Sequence, residues 1–324
     1  MVGPQLSLIV GAFNMSRELP RTVQSLSPMM QRNINQSDYE IIIVDNGSTH
    51  PIDEAMCRRW GADVRVLRIP RPAAVSPIRA LNTCVAQARG NLVGVMVDGA
   101  RIASPQVVSL AMQAQRLAVR AITLTHGFHL GHKVQMRSVR EGYNQKKEDD
   151  LLRRCAWTED AYRLFDISVF SGSSSRGWFA PMAESNALFM HRSLWDELGG
   201  FDERFETPGG GLANSDLFSR AIALRDVSVL TLLGEGTFHQ VHGGAATNSV
   251  RDMEPVFRAE YVKIRGHPYQ APSYRSLYLG TIPDNTVRSI LASANLAWRQ
   301  NDGRVLLRRQ LRRILANLFR RSTS

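Results

Sequence analysis

Three stretches, LSLIVGAF (Leu6 to Phe13), YEIIIVD (Tyr39 to Asp45) and LVGVMVD (Leu92 to Asp98), are almost continuously apolar and then stop at polar residues. They constrain the fold more than any other feature. Each is far shorter than the ~18 residues of a membrane span. A strand with no polar face must be covered on both sides, which favours a parallel sheet packed between helices. The intervening segments supply such helices: Glu18 to Met30 places Leu19, Val23 and Leu26 at helical spacing, and Pro77 to Arg89 reads as a second helix. VRVLRI (Val64 to Ile69) adds a fourth strand. The order βαβαβαβ predicts an α/β fold with a mostly parallel, Rossmann-like sheet. In such sheets ligands sit outside the carboxyl ends of the strands, which is where Asn14, Asp45 and Asp98 fall.

Composition narrows the partners. With 40 basic and 29 acidic residues the chain carries a net +11, which points to an anionic partner such as a phosphate ligand, a membrane surface or nucleic acid. Cys57, Cys84 and Cys155 show no paired spacing, so a reducing compartment and no structural zinc are expected. The first residues, MVGPQLSLIVGAF, lack the basic leader of a signal peptide. No G-x-G-x-x-G follows the first strand and no G-x-x-x-x-G-K-[ST] occurs, which argues against dinucleotide enzymes and P-loop ATPases.

LSLIVGAFN, IIIVDNGST and RALNTCVAQARGNLVGVMVDGAR, followed by SNALFMHRSLWDELGGFDERF and GGGLANSDLFSRA, together resemble the family-2 glycosyltransferases with the GT-A fold. The resemblance spans roughly residues 6 to 245 and rests on the order and spacing of these segments. It implies residues 1–245 as a catalytic domain, with a nucleotide-sugar donor half at 1–101 and an acceptor half at 177–245. It implies transfer of a sugar from a nucleoside diphosphate, UDP by preference, to a hydroxyl of a glycan or lipid-linked acceptor, with inversion at the anomeric carbon.

Site roles follow from the same resemblance. Ala12, Phe13 and Asn14 match the loop beside the base, and Asp45 the acid that binds uracil or ribose. Arg79 and Asn82 fall in the helix bordering the nucleotide. Asp98 matches the first acid of the DxD motif, and Asp216 the acid that acts as general base. His239 or His242 matches a late histidine that binds metal or diphosphate, with His242 preferred. The chain departs from the pattern at Ala100, where the second DxD acid belongs, and at Ser215, where an acid normally precedes Asp216. A divalent cofactor, Mn²⁺ or Mg²⁺, therefore has to be held by Asp98, a histidine, water and the donor diphosphate. Arg101 is the alternative neutraliser of diphosphate charge.

Plainer readings stand beside these. Asp45-Asn46-Gly47 is also a turn sequence, Asp98 also a cap for a helix near Ser104-Pro105, and Asp216 also a helix N-cap. Trp178 lines the acceptor pocket or is a core aromatic; Glu184 borders the acceptor or is a surface acid. Asp202 and Glu203 close a turn, and His126, His129 and His132 belong to a strand-to-loop segment.

Residues 133–176 read as a helical or mobile insertion, with SGSSSRG (Ser171 to Gly177) a flexible loop suited to a lid. Residues 246–324 form a C-terminal extension ending in an amphipathic helix over 302–321, whose RVLLRRQLRRILANLFRR carries seven arginines and no acid. Such a helix lies on an anionic membrane or docks on the domain, so a cytoplasmic protein, peripheral at the inner face of the membrane, is expected. No RNA-recognition motif accompanies the charge, and no nucleic-acid partner is expected. Two other classes share the fold: a non-catalytic sugar-nucleotide or glycan-binding protein, and a sugar-phosphate nucleotidyltransferase. The second calls for a glycine-rich basic loop after the first strand, which GAFNMSREL does not supply.

Overall fold

A computed structural model describes residues 3–244 and 252–301. The strands are β1 (Leu6–Ala12), β2 (Tyr39–Asp45), β3 (Val64–Arg68), β4 (Leu92–Met96), β5 (Arg101–Ala103), β6 (Ala121–Leu130), β7 (Ser168–Phe170), β8 (Leu188–His191), β9 (Ser228–His239) and β10 (Leu277–Gly280). The helices are α1 (Leu19–Ser25), α2 (Glu54–Arg58), α3 (Ile78–Ala86), α4 (Val107–Leu117), α5 (Gln135–Ser138), α6 (Gln145–Cys155), α7 (Arg192–Leu198), α8 (Ala213–Ile222), α9 (Glu254–Arg265) and α10 (Val287–Asn301).

One sheet runs β10-β9-β6-β8-β4-β1-β2-β3, with β5 on β9 and β7 on β6. The apolar runs are explained by this sheet. Leu6, Leu8, Val10, Ile41 and Ile43 face one buried layer, which includes α1 and α4 residues. Ile9, Ile42 and Val44 face the other, against α3, α7 and α8. Successive strand residues point to opposite faces, so both layers demand apolar side chains.

The α/β class is as expected, but the sheet is mixed. β1, β2, β3 and β4 are parallel neighbours, and β6, β9 and β10 are parallel to one another. Between these halves β8 runs antiparallel to both β4 and β6. Its partner signal is a short run, Leu188 to His191, with no turn sequence marking its direction. β10 joins the same sheet through β9, so the described part of the C-terminal extension shares the core. No helix among the described residues is long and apolar enough to cross a membrane. The arginine-rich segment 302–321 lies outside the described residues.

The 133–176 segment supplies α5, α6 and a third apolar cluster in which Leu152, Trp157, Tyr162 and Phe165 pack on Phe128 and Phe238. α6 is tied to α1 by Arg21–Asp149 at 2.6 Å and to the residues before α1 by Arg17–Asp149 at 2.7 Å. The Ser171 to Gly177 stretch contains a 3₁₀ turn (Gly172–Ser174), and Ser174 Oγ accepts a bond from Gly127 N at 3.1 Å.

Candidate functional site

The site forms where β1, β4 and the end of β9 meet. Gly99 N donates to Gly11 O at 2.6 Å, and a side chain at either glycine would strike backbone oxygen, at 2.5 Å from Gly99 and 2.4 Å from Gly11. That contact needs glycine both on β1 and in the turn after β4, and it fixes the turn carrying Asp98 against β1. β5 then pairs with β9 so that Arg101 lies opposite His239. Asp98, His239 and His242 converge: their ligand atoms all lie within 4.8 Å of one another.

Asp98 Oδ1 accepts from Ala100 N at 2.9 Å, closing the turn and leaving Oδ2 for the histidines. His239 Nε2 is 2.7 Å from Oδ2 and His242 Nε2 is 3.4 Å from it. Cis ligands about 2.1 Å from an octahedral ion lie about 3 Å apart, a spacing these two distances bracket. Burial opposes charge on Asp98, but facing His242 and His239 hold its carboxyl well below the usual range. Burial pushes the His239 imidazole down to about 4 despite the pull of Asp98. For His242 burial is outweighed by Asp98, and its pKa is raised.

Gln135 sets the His239 tautomer. Its amide nitrogen donates to His239 O at 2.8 Å, so its carbonyl oxygen is the atom that meets His239 Nδ1 and must accept a proton there. A neutral His239 then presents the Nε2 lone pair to Asp98. Two acceptors facing each other fit a cation between them. A fixed outer partner of this kind is what a metal-binding histidine requires. His129 Nδ1 accepts from Gln135 N at 2.9 Å, so this histidine braces the support. Glu148 of α6 accepts from Val241 N at 3.0 Å and braces the backbone next to His242. Burial raises the Glu148 carboxyl to about 7.

Ala100 is fully buried in the apolar layer. A carboxylate there would have to enter that layer without a partner; the groups beside Asp98 are instead His239, which ends β9, and His242. Arg101 is also buried, and its Nε and Nη1 have no hydrogen-bond partner among the described residues. Burial depresses its pKa against the pull of Asp98 and Glu184.

Asp45 Oδ1 accepts from Ser48 N at 2.9 Å in a turn at the end of β2. Asn14 joins that turn, donating from N to Ser48 Oγ at 2.9 Å and accepting from Thr49 N at 2.8 Å. Ala12 is buried beneath them and Phe13 is half exposed above. Arg79 and Asn82 turn elsewhere. Arg79 pairs with Glu203 at 3.2 Å, and Asn82 bonds Phe201 N and O at 3.0 and 2.9 Å, fastening α3 to the 199–203 turn.

Trp178 is a core aromatic. It is fully buried against Phe128, Phe165, Phe170 and His126, with Nε1 donating to Ser289 Oγ at 2.9 Å, so no ring face remains for a sugar. Asp216 sits inside the first turn of α8, 1% exposed. Arg265 Nε and Nη2 reach its two oxygens at 2.6 and 2.7 Å, and Arg220 Nε adds a bond at 2.8 Å. Any proton transfer to Asp216 requires these pairs to open. Asp216→Asn is expected to cost about 3 kcal/mol, because removing one partner strands two half-buried guanidinium groups. A urea midpoint equal to wild type would contradict this pairing.

Of the two histidines anticipated as alternatives, both face Asp98, and Gln135 is an addition behind them. His239 carried a signal in H-x-x-H, where it ends β9 and His242 follows three residues later; Gln135, in KVQMRS, carried none.

Residues 7–118 match the model of "Glycosyl transferase family 2". No curated protein matches the sequence. Among solved structures, S. aureus TarS 1-349 in complex with UDP-GlcNAc overlays with a TM-score of 0.51 at 14% identity, over 92% of this chain and 74% of that one. S. aureus TarS overlays with a TM-score of 0.51 at 15% identity, over 82% of this chain and 41% of that one. For another TarS 1-349 structure the values are 0.49 and 15%, over 73% and 60%. This chain thus spans about three-fifths and two-fifths of two of the solved chains it matches. Residues 7–118 are thus similar to a family-2 glycosyltransferase domain, and the sheet built around them has the fold of these solved structures.

Proposed function

We propose that the chain moves a sugar from a UDP-sugar to an acceptor hydroxyl of a glycan or glycolipid, with inversion. The observation that carries this reading is the convergence of Asp98, His239 and His242, with Arg101 opposite His239 and its Nε and Nη1 lacking a hydrogen-bond partner among the described residues. A divalent ion bound by the three ligands would supply charge to the leaving diphosphate. Arg101 would donate Nε–H and Nη1–H to phosphate oxygens, and the Asn14–Asp45–Ser48 turn would hold the nucleoside. Preference for uridine is supported by TarS, whose solved complexes contain UDP and UDP-GlcNAc. Mn²⁺ suits the mixed set of one carboxylate and two imidazoles better than Mg²⁺, which demands oxygen. Inversion requires an acid on the acceptor side to take the hydroxyl proton, and Asp216 is the acid the sequence pattern nominates.

Calorimetric titration with UDP, GDP and dTDP, each with Mn²⁺ and with EDTA, tests the reading. Binding of UDP that depends on Mn²⁺ is expected. Binding of no nucleotide would remove the donor site altogether. Gln135→Leu is expected to weaken Mn²⁺ by roughly 10- to 100-fold by freeing the His239 tautomer. An unchanged Mn²⁺ isotherm in that variant would separate Gln135 from the ion.

A lipid-linked acceptor would place the enzyme at a membrane surface, with residues 302–321 as its contact. Sedimentation with vesicles containing phosphatidylglycerol, with and without residues 302–324, measures this; equal sedimentation of both forms would sink it.

A further inference from the structure

The acid best placed to receive the acceptor's proton is not the one held by two arginines. Glu184 stands at the start of the segment that leads into β8, facing the first turn of α8. Asn214 Nδ2 and Ser215 Oγ donate to its Oε2 at 3.2 and 3.0 Å. Among the described residues no hydrogen bond reaches Oε1. β8 runs antiparallel to β4 with Leu188 opposite Val95, so the segment before β8, which carries Glu184, leads back past the end of β4 where Asp98 follows.

Its backbone is held firmly. Met182 N donates to Tyr274 Oη at 2.9 Å, Tyr269 Oη donates to Ala183 O at 2.7 Å, and Asn214 Nδ2 reaches Ser185 O at 3.1 Å. Ser185 Oγ is locked to both N and O of Thr125, at 3.0 and 3.1 Å. Groups fixed in this way lose little freedom when a reaction needs them in one geometry.

A cavity of about 180 Å³ is lined by Ala183, the residue before Glu184, with Ser173, Ser175, Arg176 and Ser273 and the apolar Pro181 and Pro272. At ~30 Å³ per water this is room for about six waters, the scale of one small polar ring. Hydroxyls and a guanidinium are the donors and acceptors that a sugar ring uses. Asp216 has neither an open oxygen nor such a neighbour.

We propose that Glu184 is the general base and that the Ser173–Arg176–Ser273 cavity receives the acceptor sugar; this rests on the transferase reading. The acceptor O–H gives its proton to Glu184 Oε1. The oxygen bonds to the anomeric carbon as the bond from that carbon to the diphosphate oxygen breaks, and the electron pair leaves with the diphosphate. Asn214 and Ser215 position the carboxylate through Oε2, and they account for the absence of an acid at position 215: a second carboxylate there would repel Glu184.

The test uses the full chain with a panel of UDP-, GDP- and dTDP-sugars, reading release of nucleoside diphosphate with water as acceptor, for wild type, Glu184→Gln, Glu184→Asp and Asp216→Asn. Glu184→Gln is expected to lose about 10²-fold or more in kcat, the ordinary contribution of a positioned base, while UDP affinity in Mn²⁺ stays within about 2-fold. The acid limb of its pH–rate profile disappears, and Glu184→Asp recovers part of the rate with the limb restored. Glu184→Gln within about 3-fold of wild type overturns the assignment, and so does a folded Asp216→Asn that is slower than Glu184→Gln. A wild type that binds UDP but in which only Asp216→Asn is silent returns the role to Asp216. A wild type that neither binds nucleotide nor releases it removes the transferase reading and this assignment together.

Discussion

Asp98→Asn is expected to abolish Mn²⁺-dependent UDP binding and to lower sugar transfer by on the order of 10³-fold, the several kcal/mol that a metal contributes to a departing phosphate. Asparagine keeps the acceptor that Ala100 N needs at 2.9 Å, so the turn survives. It removes the charge that raises the His242 pKa and that a cation would share with His239. Its amide N–H also satisfies the Nε2 lone pair that Gln135 leaves facing Asp98, so the apo protein should melt no lower than wild type in EDTA. The contrast is diagnostic: full stability with no metal-dependent binding. A variant that loses both stability and binding would place Asp98 in the scaffold. Retention of Mn²⁺-dependent binding would place the ion elsewhere.

The legible parts of this molecule were those that a short window can hold. Apolar runs buried on both faces gave β1, β2 and β4, and the polar residues terminating them marked Asn14, Asp45 and Asp98. What a window could not hold was pairing across the chain. β8 reverses the middle of the sheet through contacts with β4 and β6, about 90 and 60 positions away in sequence. Arg101 meets His239 only because β5 pairs with β9, and Gln135 meets His239 only because α5 packs beneath that strand. Asp216 and Trp178 show the converse. Each fits a local motif, but Arg265, 49 residues later, occupies the first, and an aromatic cluster gathered from four segments encloses the second.

Arg101→Met separates function from stability more sharply than any other single change. A buried guanidinium whose Nε–H and Nη1–H have no partner among the described residues costs the apo protein free energy, since its desolvation is not repaid by hydrogen bonds. Methionine has similar length, is flexible enough to fill the space, and leaves no polar group stranded. The melting temperature in EDTA is therefore expected to equal or exceed that of wild type. Diphosphate binding should move the other way. If the Nε–H and Nη1–H of Arg101 are held in place for phosphate oxygens, losing them costs about 10²- to 10³-fold in kcat, the range seen when one preorganised donor to developing negative charge is removed. Lysine does not substitute, because an ammonium on a flexible stem lacks the fixed planar donor geometry of the guanidinium. Arg101→Lys should thus recover UDP affinity only partly, with a steeper loss at high salt. A destabilised Arg101→Met that still turns over at the wild-type rate would reverse the argument: the arginine would then be paired in solution and structural, and the diphosphate would depend on the Asp98 cluster alone.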